Sequence, residues 1–158
     1  MERRNFFKAL AAGSFYLSIP TARAATKKDL ANLDMIDTAA EVSSGRVSMF
    51  EINKAAMDRI DALNPHINAL VTKTYDYGVR QIAKNPTGPL AGVPYMLKDL
   101  NSLAGVRTTR GSRLFTSHTS SRQSPYTDNI LSSGVIILGK TNTPEFGLMP
   151  STEPVANG

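Results

Sequence analysis

Two short apolar runs, each leading to a lysine, constrain the fold of this 158-residue chain more than any other feature. The first is the segment Gly92–Lys98, and the second is Gly134–Lys140. Both have the length and the apolar composition of a buried strand, and helical patterns lie around them. Strands that alternate with helices predict an α/β fold, in which a sheet is flanked by helices. Open sheets of this kind bind ligands outside the carboxyl ends of their strands, which makes Lys98 a candidate site residue.

Two helices are predicted before the first strand, and we expect them to pack against the sheet as its outer cover. The first ends near Gly45, and the second opens at Ser48, whose spacing to Glu51 is that of a capping box. The second helix is predicted to stop at Asn64-Pro65. Apolar residues at helical spacing define the stripes that face the core: Leu30, Leu33, Ile36, Ala40 and Val42 in the first helix, and Ile52, Ala55, Ala56, Ile60 and Leu63 in the second.

The rest of the chain continues the alternation of strands and helices. The predicted elements are a strand at 67–72, a helix at 74–83, a loop at 85–89, a strand ending at 98, a helix at 125–133, a strand at 135–138 and a helix start at 143–145. Gly134 fits the position just past a helix end.

The amino-terminal 24 residues have the pattern of a twin-arginine signal peptide. Arg3-Arg4 precedes the apolar run Ala9–Ile19, and Ala22-Arg23-Ala24 supplies a cleavage site of small residues. The run is shorter than the roughly twenty residues that a membrane-spanning helix needs. An uncleaved anchor or a chance basic pair is the alternative. We therefore expect an export signal at 1–24, a folded part at 25–158, a periplasmic or secreted location and no stable membrane association.

Charge and rare residue types exclude several kinds of partner. The net charge of +5 belongs mainly to the export signal, because four basic residues against one glutamate there supply three of the five units. No basic cluster with interleaved aromatic residues remains, so a nucleic-acid partner is not expected. The chain has no cysteine, and His66 and His118 are too far apart in sequence to suggest a metal site. No cofactor or metal is expected.

The segment Gly134–Thr141 matches the P-loop spacing of a nucleotide-binding site as a string. A phosphate-binding loop needs a strand before its first glycine and a tight turn after it. Here the segment before Gly134 is predicted to be helical, and the four intervening residues are Val, Ile, Ile and Leu, which favour a buried strand. Nucleotide binding at 134–141 is therefore only a remote alternative.

Lys98 is the candidate catalytic residue. Between Leu97 and Leu100 its side chain can be desolvated, which favours a neutral amine that accepts a proton. A solvated Lys98–Asp99 pair at a strand end is the alternative. Asp99 should point to the opposite face of the strand and have a structural role.

The motifs after Lys98 follow an order that resembles the amidase signature family. The resemblance runs from about Asp29 to Gly158, and the residues that carry it are Gly92–Asp99, Thr108–Ser112, Asp128, Gly134–Asn142 and Glu145–Gly147, together with the leading helix end Arg59–Ala69. It implies the amino-terminal part of the amidase signature fold, a mixed sheet flanked by helices. It also implies amide-bond hydrolysis by a serine nucleophile, a second serine in a cis peptide, and a lysine at the position of Lys98.

In that family both serines belong to a Gly-Ser-Ser-Gly-Gly stretch and the segment after it, and this sequence contains no such stretch. We expect that the chain is truncated before it and is inactive alone, carrying only the lysine of the site. An inactive remnant, or half of a split protein, is the alternative. The serines that are present, Ser112, Ser120, Ser121, Ser132 and Ser133, are expected to be caps and loop hydrogen bonders, and Lys140 to be positional. The resemblance further implies a small-molecule amide substrate and, in relatives, frequent homodimers.

Overall fold

The computed structural model describes residue 30 and residues 32–158. The predicted signal peptide at 1–24 lies outside the described residues and stays a prediction. In chain order the elements are α1 (Met35–Ser43), α2 (Met49–Ile67), β1 (Leu70–Lys73), α3 (Tyr75–Ala83), β2 (Pro94–Lys98), a 3-10 turn (Arg113–Phe115), α4 (Pro125–Ser132), β3 (Ile136–Thr141) and a second 3-10 turn (Glu145–Gly147).

The sheet has three strands in the order β1-β3-β2. The central strand β3 pairs with β2 in parallel and with β1 antiparallel. Pairing between β2 and β3 shifts by one residue between Tyr95 and Met96, after which Lys98 lies opposite Thr141. A mixed sheet flanked by helices confirms the predicted fold class, and the carboxyl ends of β2 and β3 meet at one edge.

Helix α2 begins with the predicted capping box. The Ser48 hydroxyl accepts from the Glu51 N–H at 3.1 Å, and the Glu51 carboxylate accepts from the Ser48 N–H at 2.9 Å. The Ser48 hydroxyl also donates to the Glu51 carboxylate at 2.7 Å, and this bond, followed by that from the Ser48 N–H, lowers the pKa of Glu51. The box thus supplies partners to two backbone donors at the amino-terminal end of the helix.

The predicted end of α2 was wrong, because the helix continues through Pro65 to Ile67. Pro65 lies in the last turn, where its missing N–H removes a single bond. Asn68, with φ 45°, ends the helix in the left-handed region, and its N–H donates to the Asn64 carbonyl at 2.8 Å. Because the helix is longer than predicted, β1 starts at Leu70 and not at Ile67.

Replacing Ser48 with alanine should lower the free energy of unfolding by about 1 kcal/mol, because the first turn of α2 loses its side-chain acceptor. Urea-induced unfolding of the two proteins measures this difference. Ser43→Ala is the matched control, since Ser43 lies in the last turn of α1 and donates only to the Ala40 carbonyl. An equal loss in both variants would contradict the capping role of Ser48.

The core lies on both sides of β3. On one side Leu97, Leu103 and Ile137 pack together, and on the other Ile136 and Leu138 pack against Met57 of α2. The first five residues of β3 are buried, and the strand is hydrogen-bonded to a neighbour on each side. This agrees with the rejection of a P-loop, because backbone amides inside a buried strand do not form a phosphate-binding turn.

The predicted helix start at 143–145 produces only a single 3-10 turn, Glu145–Gly147. Phe146 has φ 52° and Gly147 has φ 75°. Two successive residues in the left-handed region cannot continue a right-handed helix. The chain therefore leaves the sheet edge in a turn and not in a helix.

Candidate active site

Lys98 is the last residue of β2, at the carboxyl edge of the sheet. Its side chain is exposed and makes no hydrogen bond or ion pair within the described part of the chain. Contrary to the expectation, Leu97 and Leu100 do not cover the Lys98 side chain within the described part of the chain. Leu97 is fully buried, but alternation along the strand directs the Lys98 side chain to the other face.

Asp99 lies on the face opposite to Lys98, as predicted, and it is fully buried. One carboxylate oxygen, Oδ2, accepts from the Thr109 N–H at 2.9 Å and from the Thr109 hydroxyl at 2.6 Å. The other, Oδ1, lies 2.9 Å from Nζ of Lys140. Asp99 is therefore held by a loop and by the central strand at once.

Lys140 is the cation of this pair, and its side chain is as completely buried as that of Asp99. Its Nζ also donates to the Thr108 hydroxyl at 2.9 Å. Burial lowers the pKa of Lys140 from its ordinary value, and the Asp99 carboxylate opposes part of that effect. These contacts are those of a residue that holds others in place, and solvent does not reach its amine.

The loop after Lys98 is built around the two threonines. The Thr108 hydroxyl accepts from Ser120 at 3.0 Å as well as from Lys140, and the Thr109 hydroxyl accepts from the Gly111 N–H at 3.1 Å. Gly111 has φ 68°, and a Cβ there would lie 2.5 Å from the Thr143 carbonyl oxygen. The Thr-Thr-Arg-Gly-Ser segment thus needs glycine at this position to pack on the chain beyond β3.

Asn157 joins the same loop to the sheet edge. Its side-chain amide donates to the Thr109 hydroxyl at 3.0 Å, and its Oδ1 accepts from Arg107 at 3.4 Å. The Asn68 side chain in turn donates to the Asn157 carbonyl at 2.8 Å. These hydrogen bonds hold Asn157 beside the carboxyl ends of β2 and β3.

Three of the serines considered above serve as caps and local hydrogen bonders, as predicted. Ser112 accepts from the Leu114 N–H at 3.3 Å and caps a 3-10 turn. Ser132 and Ser133 donate to carbonyls one turn back in α4. None of these contacts is the nucleophile–base pair that acyl transfer needs.

His66 and His118 are both exposed. Within residues 30 and 32–158, no cluster of three or more His, Cys, Asp or Glu side chains could hold a metal ion. Over the same residues, no helix combines the length and the apolar character that crossing a bilayer requires.

The sequence interpretation missed the Asp99–Lys140 pair. Two features of the sequence could have indicated it. Asp99 follows Lys98 directly, so that one of the two charges must lie on the face of the strand that carries Leu97, and Lys140 directly follows the apolar run 135–138 and Gly139. A charge in such a position needs a partner, because an isolated buried charge is very unfavourable.

Comparison with known proteins gives matches over most of the chain. The sequence model of the family Amidase matches residues 51–158. An acylamidase of Rhodococcus erythropolis is 35% identical over 136 residues, which is 81% of this chain and 28% of that protein. A glutamyl-tRNA(Gln) amidotransferase subunit of Alkalilimnicola ehrlichii is 36% identical over 124 residues, or 74% of this chain and 26% of that protein.

Among solved structures, that of 6-aminohexanoate cyclic dimer hydrolase in complex with its substrate is similar to this fold. The TM-score is 0.75 at 32% identity, over 80% of this chain and 27% of that one. This chain thus spans about a quarter of the length of the relatives it matches, between 26% and 28% for these three.

Proposed function

Because this chain belongs to the amidase family, we propose that it is part of an enzyme that hydrolyses amide bonds with Lys98 as its general base. The observation that carries the proposal is the position of Lys98. It ends a parallel strand at the carboxyl edge of the sheet, with its amine exposed and without a partner among the described residues. A ligand in an α/β sheet binds at this edge.

In the proposed mechanism the longer protein covers Lys98 and thereby favours its neutral amine, which takes a proton from a serine in a cis peptide. That serine activates the nucleophilic serine, which attacks the amide carbonyl and forms an acyl-enzyme. Lys98 then returns the proton to the leaving amine, and water completes the hydrolysis. Backbone N–H groups of the glycine-rich stretch would stabilise the oxyanion.

Neither serine of this mechanism has a counterpart in the 158 residues, which contain no Gly-Ser-Ser-Gly-Gly stretch. We propose that a longer protein supplies this stretch and that the present chain alone is inactive. The proposal is supported by the coverage of the relatives, about a quarter of their length. No cofactor enters any step.

We further propose a small-molecule amide as substrate and an exported enzyme. The relatives include an acylamidase and a hydrolase of a cyclic dimer of 6-aminohexanoate, and the second name specifies a small-molecule substrate. The twin-arginine pattern ahead of Ala24 supports export. An exported location also separates the enzyme from charged tRNA, which disfavours an amidotransferase role for this chain.

Reading the gene beyond the codon for Gly158 tests the need for a longer protein. We expect an in-frame continuation that encodes Gly-Ser-Ser-Gly-Gly. An immediate stop codon would contradict the longer protein and would favour the alternative of an inactive remnant or half of a split protein.

Hydrolysis by the complete protein tests the activity itself. We expect release of amine or ammonia from at least one member of a panel that contains linear aliphatic, aromatic and cyclic amides. The 158-residue chain, purified in the same way, should release none. Absence of hydrolysis by the complete protein across the whole panel would contradict the proposal.

A further inference from the structure

We propose that the buried Asp99–Lys140 pair fixes the register of β2 against β3 and thereby keeps Lys98 on the accessible face of the sheet. The effect of this ion pair on catalysis rests on the proposed function of Lys98 as a general base. Asp99 and Lys140 are then positioning residues that act through Lys98.

The position of Lys98 comes from its neighbours, because its own side chain has no partner among the described residues. Leu97 and Asp99 flank it, and both are fully buried. Apolar packing against Leu103 and Ile137 holds Leu97. Hydrogen bonds and the ion pair hold Asp99.

The pairing of β2 with β3 is irregular just before this point. Tyr95 lies opposite Ile137, whereas Met96 lies opposite Gly139, so Leu138 has no partner in β2. Pairing without the irregularity would place Met96 opposite Leu138, one residue away from the observed register. Because successive side chains alternate between faces, a slip of one residue would bury Lys98 and expose Asp99.

The ion pair opposes this slip because it joins the two strands directly beyond the irregularity. Lys140 belongs to β3 and lies opposite Leu97, and it reaches at 2.9 Å the carboxylate of Asp99, the residue that directly follows β2. The Asp99 N–H donates to the Thr141 carbonyl at 3.1 Å in the same register. After a slip the Asp99 carboxylate would leave Lys140 buried without a counter-charge.

Stability alone does not explain a buried ion pair at this place. Removing two charges from water is unfavourable, and well-packed apolar residues often serve equally well. Fixing one register against another is the best-supported use of such pairs. The pair stands directly beside Lys98, where a register error would have the largest effect on the candidate site.

The double variant Asp99→Asn/Lys140→Met of the complete protein tests the inference. The introduced asparagine keeps an acceptor for the Thr109 donors, and the introduced methionine keeps much of the volume of the lysine, while the charge pair is removed. Hydrogen exchange of the backbone, followed by mass spectrometry, reports how well the backbone hydrogen bonds of residues 97–101 are protected in the observed register, independently of any activity. Amide hydrolysis reports kcat and KM separately.

We expect the double variant to unfold at a urea concentration close to that of the parent. Exchange at 97–101 should nevertheless be at least tenfold faster, and kcat should fall at least tenfold with KM nearly unchanged. Parent-like exchange and kcat in a stable double variant would overturn the inference. If the parent hydrolyses no amide, the proposed function fails, but the exchange measurement still decides whether the pair fixes the register.

Thr109→Val provides a second test should the double variant not fold. It removes the 2.6 Å hydroxyl bond that orients the Asp99 carboxylate toward Lys140, and with it the acceptor for the Gly111 N–H and the Asn157 amide, while both charges of the pair remain. We expect faster exchange at 97–101 and a smaller loss of kcat. Ser132→Ala is the control, because Ser132 donates only to the Asn129 carbonyl in α4. Equal exchange in Thr109→Val, Ser132→Ala and the parent would count against the inference.

Discussion

Replacing Lys98 with alanine in the complete protein is expected to lower kcat/KM for amide hydrolysis by about 10³-fold, the range of a lost general base. The amine of Lys98 is the proton acceptor of the proposed mechanism, and no other described lysine can replace it at this edge. Lys140 is fully buried and already pairs with Asp99. Steady-state kinetics on an amide that the parent hydrolyses measures the effect.

Two further variants make this test specific. Lys84→Ala removes an exposed lysine at the end of α3 and should leave kcat/KM within about twofold of the parent. Lys98→Arg keeps a positive charge but should be as inactive as the alanine variant, because a guanidinium does not lose its proton at ordinary pH. Parent-like activity of Lys98→Ala with an unchanged fold would rule out Lys98 as the base.

The sequence predicted those parts of the fold that depend on local signals. The capping box at Ser48, the helix that ends before Gly134 and the strand that ends at Lys98 all follow from residue type and spacing within a few positions. Each signal acts through neighbouring atoms, so its outcome does not depend on the rest of the molecule. Alternation along β2 likewise placed Asp99 on the face opposite to Lys98.

The errors arose where distant groups decide the structure. Pro65 by itself predicts a helix stop, but Asn64 bonds both backbone groups of Leu70 through its side chain, at 2.7 and 2.9 Å, and so supports the last turn. The left-handed φ of Phe146 accompanies its N–H bond to the Arg110 carbonyl at 2.8 Å. Neither contact leaves a pattern in the local sequence.

The candidate site shows the same division between local and distant information. Lys98 could be selected from its strand and its motif, whereas its exposure depends on which face of β2 the core covers. The Asp99–Lys140 pair joins residues 41 positions apart in the chain, and only the pairing of β2 with β3 brings them to 2.9 Å. Sequence alone indicated two charges in apolar surroundings but not that each is the partner of the other.

Replacing Lys140 with alanine is expected to lower the free energy of unfolding by about 3–5 kcal/mol, the largest loss of stability that we predict. The change leaves the fully buried Asp99 carboxylate without its counter-charge and removes the donor to the Thr108 hydroxyl. It also leaves a cavity where the lysine chain was packed. Urea-induced unfolding of the variant and the parent measures the difference.

Lys54→Ala is the matched control, since it also deletes a lysine from an ion pair. Lys54 pairs with Asp58 on the surface of α2, where 55% of its side chain is exposed. Water stabilises both separated charges there, so its loss should change stability by less than about 0.5 kcal/mol. Burial, and not the ion pair as such, therefore determines the size of the effect. Similar small losses in both variants would show that water or a rearranged side chain compensates for Asp99, and would contradict the buried pair.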